Sequence, residues 1–437
     1  MMRYLRLALL LLTCVLSLAL VSCGADTEGG GTGNNKTLTL NVYNWGEYIS
    51  DGSGDSIDVN LEFEKYYYET YGVKVKVNYT TYANNEDMFN KLKSGAGSYD
   101  IVIPSDYMIE KMIDADMLYA FDTSNIANYE NIDDAFKGLY YDPDEMYSVP
   151  YTYGMVGVIY NYTLLNPTDI DDEGNILDPS WSLLWNEDYA GKILQFNNPR
   201  DAFGTAMYYK NLDINSTDEA VWQEALDLLK QQKPLVQAYV NDEIFNKMTS
   251  GSAAISAYYA GDYITMLESN DYLRFYYPKE GTNVFYDAMC IPKTSANKEL
   301  AMEYINFMLT EEIAVANALA IGYASPNKLV VESPEYAEEM GEEAMSILYG
   351  EDMDAIQKNY GYNPSYRGFS DKMLSYVNGL WEELKTEDAV EPWIHVTSIV
   401  IVASLAVAGG YSIYIKKKRS RFYRERDRLA RAKKKNG

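Results

Sequence analysis

The chain has 437 residues, more than one compact core usually accommodates, so two lobes with added terminal segments are expected. It carries 64 Asp and Glu against 37 Lys and Arg, a net charge of -27, which excludes nucleic acid as a partner and favours cations. Three cysteines and one histidine, His395, which lies at the edge of an apolar run, exclude a disulfide framework, a zinc cluster and a histidine-based triad in the body.

The N-terminus is typical of an exported protein. Residues 1–22 form a predicted signal peptide, because two arginines precede a leucine-rich core too short to span a membrane comfortably. Residues 20–24, LVSCG, resemble the lipobox of bacterial lipoproteins, in which the cysteine, here Cys23, carries the lipid. Residues 23–36 are rich in Gly, Thr and Asn and form a predicted lipidated flexible tether.

A predicted strand over residues 37–43 runs directly into Trp45, Glu47 and Tyr48. The carboxyl ends of strands in an open α/β sheet are where ligands bind. Aromatic faces beside an anion suit an organic cation such as an amine. The alternative is that Trp45 and Tyr48 only cover the apolar core and that Glu47 is a solvated surface acid.

Helices and strands alternate through the rest of this first unit. The predicted elements are a helix over residues 59–70, a strand over 73–77, a helix capped by Asn85 and reaching 92, a buried parallel strand over 99–104, and a helix over 107–112 capped by Ser105. This order predicts a doubly wound α/β unit.

A second unit begins near residue 153. A strand over residues 151–161 is expected to cross between the lobes, and Ser216 to Glu219 form a predicted capping box for a helix through 229. Further strands are predicted at 192–196, 253–259, 273–277 and 284–291, and amphipathic helices at 299–309 and 312–319.

The C-terminus is typical of a membrane anchor. Residues 394–415 are an apolar run long enough for a transmembrane helix, and residues 416–437 form a basic tail. The positive-inside rule places this tail in the cytoplasm. The body is therefore expected at the outer face of the cytoplasmic membrane, held by a lipid and by a helix.

Five segments of the body resemble the spermidine/putrescine-binding proteins of polyamine ABC importers. They are residues 43–49 (YNWGEYI), 99–107 (YDIVIPSDY), 147–151 (YSVPY), 277–281 (YPKEG) and 321–327 (IGYASPN), in the same order, and the resemblance covers residues 37–386. It implies a two-lobed α/β periplasmic-binding-protein fold, type II-like, with a polyamine clamped in the cleft and ABC permease subunits as partners.

The resemblance also implies how the chain divides. Residues 37–155 and 287–331 would form lobe 1, and residues 156–286 and 332–390 would form lobe 2. Ligand-binding roles carry over to Trp45, Glu47, Tyr48, Ser105, Tyr107, Asp201, Tyr259, Asp262, Phe285, Asp287 and Tyr323. Of these, Trp45 and Tyr48 would flank the ligand, and Asp287 would hold its inner amine.

Two departures from the family pattern concern ligand length. Asn198 stands where spermidine binders often have an acid, and Arg367 lies near a family glutamine. Fewer acids or an added cation at one end of the cleft would disfavour a long triamine, so a diamine is favoured.

Two other functions stay open at this point. The chain could bind another small solute, such as a sugar or an amino-acid-like molecule, or it could be a surface hydrolase with paired carboxylates. Because no general acid and base spacing is visible, we expect a non-enzymatic binding protein without a cofactor.

Overall fold

The computed structural model describes residues 37–54, 56–350 and 365–386. The strands are β1 Leu38–Trp45, β2 Val75–Tyr82, β3 Ile101–Val102, β4 Ser148–Asn161, β5 Ile193–Phe196, β6 Val236–Val240, β7 Ile255–Tyr259, β8 Leu273–Tyr276 and β9 Val284–Cys290. The helices are α1 Val59–Tyr71, α2 Asn85–Lys93, α3 Asp106–Asp114, α4 Pro199–Tyr209, α5 Glu219–Gln232, α6 Glu243–Thr249, α7 Ala260–Leu267, α8 Lys298–Met308, α9 Glu311–Ile321, α10 Lys328–Val331, α11 Pro334–Tyr349 and α12 Asp371–Thr386.

The strands follow the order β2-β1-β3-β9-β4-β7-β5-β6, with β8 paired to β4. On each side the outer strands are parallel: β1 lies between β2 and β3, and β5 lies between β6 and β7. Their carboxyl ends therefore point toward common edges, where ligand-binding loops gather in α/β proteins. The α/β architecture expected from the alternating pattern is confirmed.

The long strand β4 joins the two halves. Its residues from Ser148 to Met155 pair antiparallel with β9, and those from Val156 to Tyr160 pair antiparallel with β7. All its residues are buried. Because one continuous strand belongs to both halves, the chain has a shared central element about which each half carries its own helices.

The buried apolar residues form two large clusters, one on the β1 side and one that extends through both halves. On the β1 side, Phe63 and Tyr304 are fully buried with ring centroids 4.9 Å apart. On the β5 side, Phe203 packs on Trp222 at 5.4 Å. The cluster that contains Phe203 and Trp222 also includes Met88 and Met108 of the β1 side, so apolar packing continues between the two halves.

Two expectations about helix starts are corrected, and a third is confirmed in position only. Helix α2 is capped by Asn84, which accepts from Asp87 N, and Asn85 is its first residue. Asp218, not Ser216, caps α5, because its side chain accepts from Ala220 N. Ser105 occupies the expected cap position of α3 but makes no side-chain capping bond, and its Oγ accepts a hydrogen bond from Asn85 Nδ2 instead.

Several expectations fall outside the described residues. These are the signal peptide over 1–22, the tether over 23–36 with its lipidation site Cys23, the apolar run over 394–415 and the basic tail over 416–437. Within the described ranges, no helix combines the length and apolar character needed to cross a bilayer.

Gly157 on β4 offers a stability test of this central strand. A Cβ there would lie 2.3 Å from the Phe275 ring and 2.6 Å from the backbone oxygen of Tyr276, so Gly157→Ala must displace packed atoms. We expect a loss of about 1–3 kcal/mol in the free energy of unfolding, measured by urea denaturation. Gly379→Ala is the matched control, because Gly379 has open space in α12 and should gain about 0.5–1 kcal/mol. Equal stabilities of the two variants would contradict this packing.

Candidate functional site

A cavity of about 340 Å³ lies between the two halves of the sheet. It brings together all eleven residues to which the sequence assigned ligand-binding roles, namely Trp45, Glu47, Tyr48, Ser105, Tyr107, Asp201, Tyr259, Asp262, Phe285, Asp287 and Tyr323. The structure places these residues around one cavity, and the ligand-binding role of each one is a proposal. The geometry below shows which chemistry they offer.

The first wall comes from the end of β1. Trp45 ends the strand, and the Asn44 side chain holds the following turn by accepting from Trp45 N and donating to Tyr48 O. Glu47 adopts a positive φ of 48°, a conformation that few non-glycine residues adopt. This turn directs Tyr48 inward, where it is 6% exposed, and leaves Glu47 exposed at the cavity rim.

Asp287, on β9, is the most enclosed acid in the cavity wall at 3% exposed. Its Oδ2 accepts a 2.7 Å hydrogen bond from the Tyr48 hydroxyl, which also lies 2.6 Å from Thr152 Oγ1. Its Oδ1 is buried without any hydrogen-bond partner. Burial raises the pKa of the Asp287 carboxyl to about 6. A buried, unpaired carboxylate oxygen is costly unless a donor reaches it.

Aromatic rings connect the two halves across the cavity. The Tyr48 ring lies 5.1 Å from Tyr323, which lies 5.9 Å from Phe285, and Phe285 lies 5.4 Å from Tyr259. All three pairs are edge-to-face, a favourable arrangement for aromatic pairs. Tyr323 packs directly on the backbone of Gly261, where any Cβ would lie 2.2 Å from its ring.

Two further acids belong to the β5 side. Asp201, in the first turn of α4, accepts hydrogen bonds from the Tyr259 hydroxyl and from Asn198 Nδ2. Asp262, in α7, accepts a 2.9 Å hydrogen bond from the Tyr323 hydroxyl. Burial raises the pKa of Asp262 to about 7, with Asp242 and Glu47 adding to the rise. Tyrosine hydroxyls thus hold the carboxylates in place while the rings line the cavity.

Sequence reasoning missed Glu86, Arg200, Asp242 and Tyr366, which also line the cavity. Glu86 is only 6% exposed and accepts from the Tyr107 hydroxyl at 3.1 Å. Burial raises the pKa of its carboxyl. An acid in the first turn of a helix is usually a solvated partner of the helix dipole, so nothing local marked Glu86 as buried.

Arg200 is a buried cation in the cavity wall, at 2% exposed. Its guanidinium carbon lies 4.0 Å from the centroid of Phe369 and 4.5 Å from that of Tyr366, and its Nη2 donates to Asn215. Its Nε and Nη1 have no hydrogen-bond partner. Cation–π contact therefore stabilises this charge.

The expectation that Arg367 adds a positive charge at one end of the cleft is wrong. Arg367 does not line the cavity, because its guanidinium pairs with Glu110 of α3, whose carboxylate also accepts from Gly368 N. The positive charge of the cavity wall is that of Arg200 instead. The other departure, Asn198, does lie at the cavity, next to Asp201.

Among the described residues that line it, the cavity has seven acidic side chains and one basic one. An enclosed space with this charge and a wall of aromatic rings suits a small molecule that combines positive charge with an apolar stem. No group of three or more potential metal ligands occurs in the part of the chain that the structure describes.

The fold and the cavity define a two-lobed ligand-binding protein. Residues 62–342 match the family model described as bacterial extracellular solute-binding protein, and the chain belongs to this family. The family confirms the expectation of a solute-binding protein rather than an enzyme.

Individual relatives narrow the comparison. The spermidine/putrescine-binding periplasmic protein of Salmonella typhimurium is 32% identical over 335 residues, which cover 74% of this chain and 90% of the relative. The putrescine-binding periplasmic protein of Escherichia coli is 27% identical, over 68% of this chain and 80% of the relative. A solved structure, the putative spermidine/putrescine ABC transporter from Listeria monocytogenes, is 32% identical with a TM-score of 0.68, over 80% of this chain and 100% of that one.

Proposed function

We propose that this protein captures a polyamine, putrescine and/or spermidine, in the cavity and delivers it to the permease of an ABC importer. The observation that carries the proposal is the unpaired, buried Oδ1 of Asp287 in a ring-lined cavity. An ammonium group would donate to this oxygen and neutralise the carboxylate. Two relatives that are named as polyamine-binding proteins align with this chain over most of their length, and this similarity supports the same ligand class.

The aromatic wall suits the rest of such a ligand. A polyamine is a chain of methylene groups that separates ammonium groups, and tyrosine and tryptophan faces accept both the methylenes and the adjacent charge, at roughly 0.5–2 kcal/mol per contact. Trp45, Tyr259 and Phe285 provide this surface, and the carboxylates at the cavity provide a partner for each desolvated charge.

Closure of two lobes would enclose the ligand. In this proposal lobe 1 comprises residues 37–155 and 287–331, and lobe 2 comprises residues 156–286 and 332–390. The change of partner along β4, from β9 to β7 after Met155, lies at this boundary and supports a hinge there. A closed form that buries the ligand would report occupancy to the permease.

The protein would act outside the cytoplasm, at the outer face of the membrane. The proposal includes a lipid on Cys23 and a membrane helix over residues 394–415, both supported by the sequence alone. Two anchors would keep the binding protein beside its permease and raise its effective concentration there.

Calorimetric titration of the purified full chain in detergent tests the proposal directly. We expect saturable heat with putrescine or spermidine at micromolar concentrations, since enclosed sites with paired charges reach such affinities. Spermine and the uncharged 1,4-butanediol serve as comparison ligands, because they lengthen the chain or remove the charge. Absence of heat with all three polyamines at millimolar concentration would overturn the proposed ligand class.

A further inference from the structure

Residues 365–371, which we name the clasp segment, lead into α12 and contact both halves of the molecule. Tyr366 in this segment lines the cavity, and the rest of the segment lies outside the cavity wall. The segment therefore joins the proposed ligand site to groups that do not line it.

On one side the clasp segment is built into the β5 half. The Phe369 ring packs on Trp222 of α5, with ring centroids 5.5 Å apart. The side chain of Asn215 donates to the backbone oxygen of Ser365 and accepts from the backbone nitrogen of Arg367. Because apolar packing and backbone hydrogen bonds hold the segment to this half, we expect it to move with this half.

On the other side the segment meets Glu110 of α3, which belongs to the β1 half. The Glu110 carboxylate forms an ion pair with the Arg367 guanidinium and accepts a 2.6 Å hydrogen bond from Gly368 N. The Glu110 side chain is 20% exposed, so this pair is partly shielded from water. Charge-assisted hydrogen bonds of this kind are roughly twice as strong as neutral ones.

The next residue of α3 adds a second ion pair between the halves. Lys111 is 8% exposed, and its Nζ lies 2.8 Å from Asp371 Oδ1 and donates to the backbone oxygen of Phe369. Lys93 of α2 also pairs with Asp371, at 3.2 Å. Two neighbouring helices of the β1 half therefore hold the same segment through charge.

These pairs bear on ligand binding without touching the ligand. Glu110, Lys111, Arg367 and Asp371 all lie outside the cavity wall. Ion pairs between two lobes exist only while the lobes are together, so they stabilise the closed form relative to an open one. A change in the closed population alters the apparent affinity of every ligand by the same factor.

We propose that Glu110 is a positioning residue for ligand binding, which together with Lys111 clasps residues 365–371 to α3 and holds the two halves closed around the cavity. The inference rests on the proposed function for its ligands, whereas the clasp itself concerns this chain alone. It gives Arg367 a role outside the cavity, as the partner that fixes the segment carrying Tyr366.

Glu110→Gln in the full-length protein tests the clasp, because it removes the charge and nearly keeps the shape. We expect the affinities for putrescine and for spermidine to fall by the same factor, about threefold to tenfold, as measured by calorimetric titration. A residue that contacted the ligand would change the ratio of the two affinities instead. A role in folding alone would lower the melting temperature and leave both affinities unchanged.

Hydrogen exchange of the ligand-free protein measures opening directly. Gly46 and Asp242 touch across the halves at a separate place, since a Cβ on Gly46 would lie 2.6 Å from Asp242 Oδ2. We expect amides of residues 44–49 and 241–245 to exchange faster in Glu110→Gln than in the wild type, because the open form separates this contact.

Two further variants complete the test. Asp371→Asn, at a side chain that is 70% exposed, removes the other pair and should weaken both polyamines by a smaller, equal factor. Glu219→Gln is the matched control, because Glu219 of α5 pairs with Lys372 of α12 within the β5 half. It should leave both affinities and the exchange rates as in the wild type.

The inference is overturned if Glu110→Gln binds both polyamines as the wild type does, or if only one of the two affinities falls. If the wild-type protein binds no polyamine, the proposed function has failed, and hydrogen exchange still decides on the clasp. Equal exchange at residues 44–49 and 241–245 in Glu110→Gln and the wild type would then overturn it.

Discussion

Replacing Asp287 by Asn is expected to reduce polyamine affinity by roughly 30-fold to several thousand-fold, the range for loss of one partner of a buried charge pair, about 2–5 kcal/mol. Asparagine has nearly the same shape, but its amide cannot neutralise an ammonium group. The loss should be large because Asp287 is 3% exposed and its Oδ1 has no other partner. Calorimetric titration of the variant and the wild type with the same polyamine gives the ratio of their dissociation constants.

Stability distinguishes a ligand role for Asp287 from a structural one. Burial raises the pKa of this carboxyl to about 6, so its ionised form destabilises the ligand-free protein at neutral pH. We therefore expect ligand-free Asp287→Asn to be at least as stable as the wild type at pH 7.5, as measured by thermal unfolding. A neutral solute would tolerate the change, so an affinity within a few-fold of wild type would argue for a different ligand class.

The residues that sequence predicted well are those with a local pattern. The alternating strand before Trp45 and the run of aromatic and acidic residues after it place a ligand-binding segment at a strand end. The crossing strand predicted over 151–161 is confirmed as the larger part of β4, which spans Ser148–Asn161. Resemblance to the polyamine-binding family then identified residues that local pattern could not connect, such as Tyr323 in the segment 321–327 and Asp262 at the end of the run YAGD over 259–262.

What the sequence could not give depends on contacts between distant parts of the chain. Arg200 is buried because Tyr366 and Phe369, more than 160 positions away, cover its guanidinium. Arg367 was expected near the ligand, but Glu110 on α3 holds it outside the cavity. Asp242 lies at the cavity because the folded chain brings it next to Gly46, which belongs to the other half. Composition alone does not distinguish such acids from the many solvated ones.

Polyamine binding is expected to weaken steeply as the pH falls from 8 to 5, by up to about 1,000-fold. Burial raises the pKa of Asp262 to about 7 and that of Asp287 to about 6, so both are mostly protonated in the ligand-free protein at pH 5. A cationic ligand binds the ionised carboxylates, so each carboxyl that is protonated in the free protein must release its proton on binding. Below the pKa of that carboxyl, the affinity then falls about tenfold for each pH unit. Asp262 then contributes about two pH units and Asp287 about one.

The stability of the ligand-free protein should change in the opposite direction. A carboxyl whose pKa is raised on folding binds more protons in the folded than in the unfolded state, so its contribution to stability falls as the pH rises from about 4 to about 7. Titrations at pH 5, 6, 7 and 8, paired with thermal unfolding without ligand, measure both trends. Asp262→Asn should flatten the affinity profile between pH 6 and 8, and Asp287→Asn should roughly halve its slope below pH 6, where Asp262 still titrates, while Asp144→Asn, a control at an exposed site away from the cavity, keeps the wild-type profile. An affinity that is constant from pH 5 to 8 would contradict ionised Asp262 and Asp287 as partners of the ligand, because no proton would then be exchanged on binding.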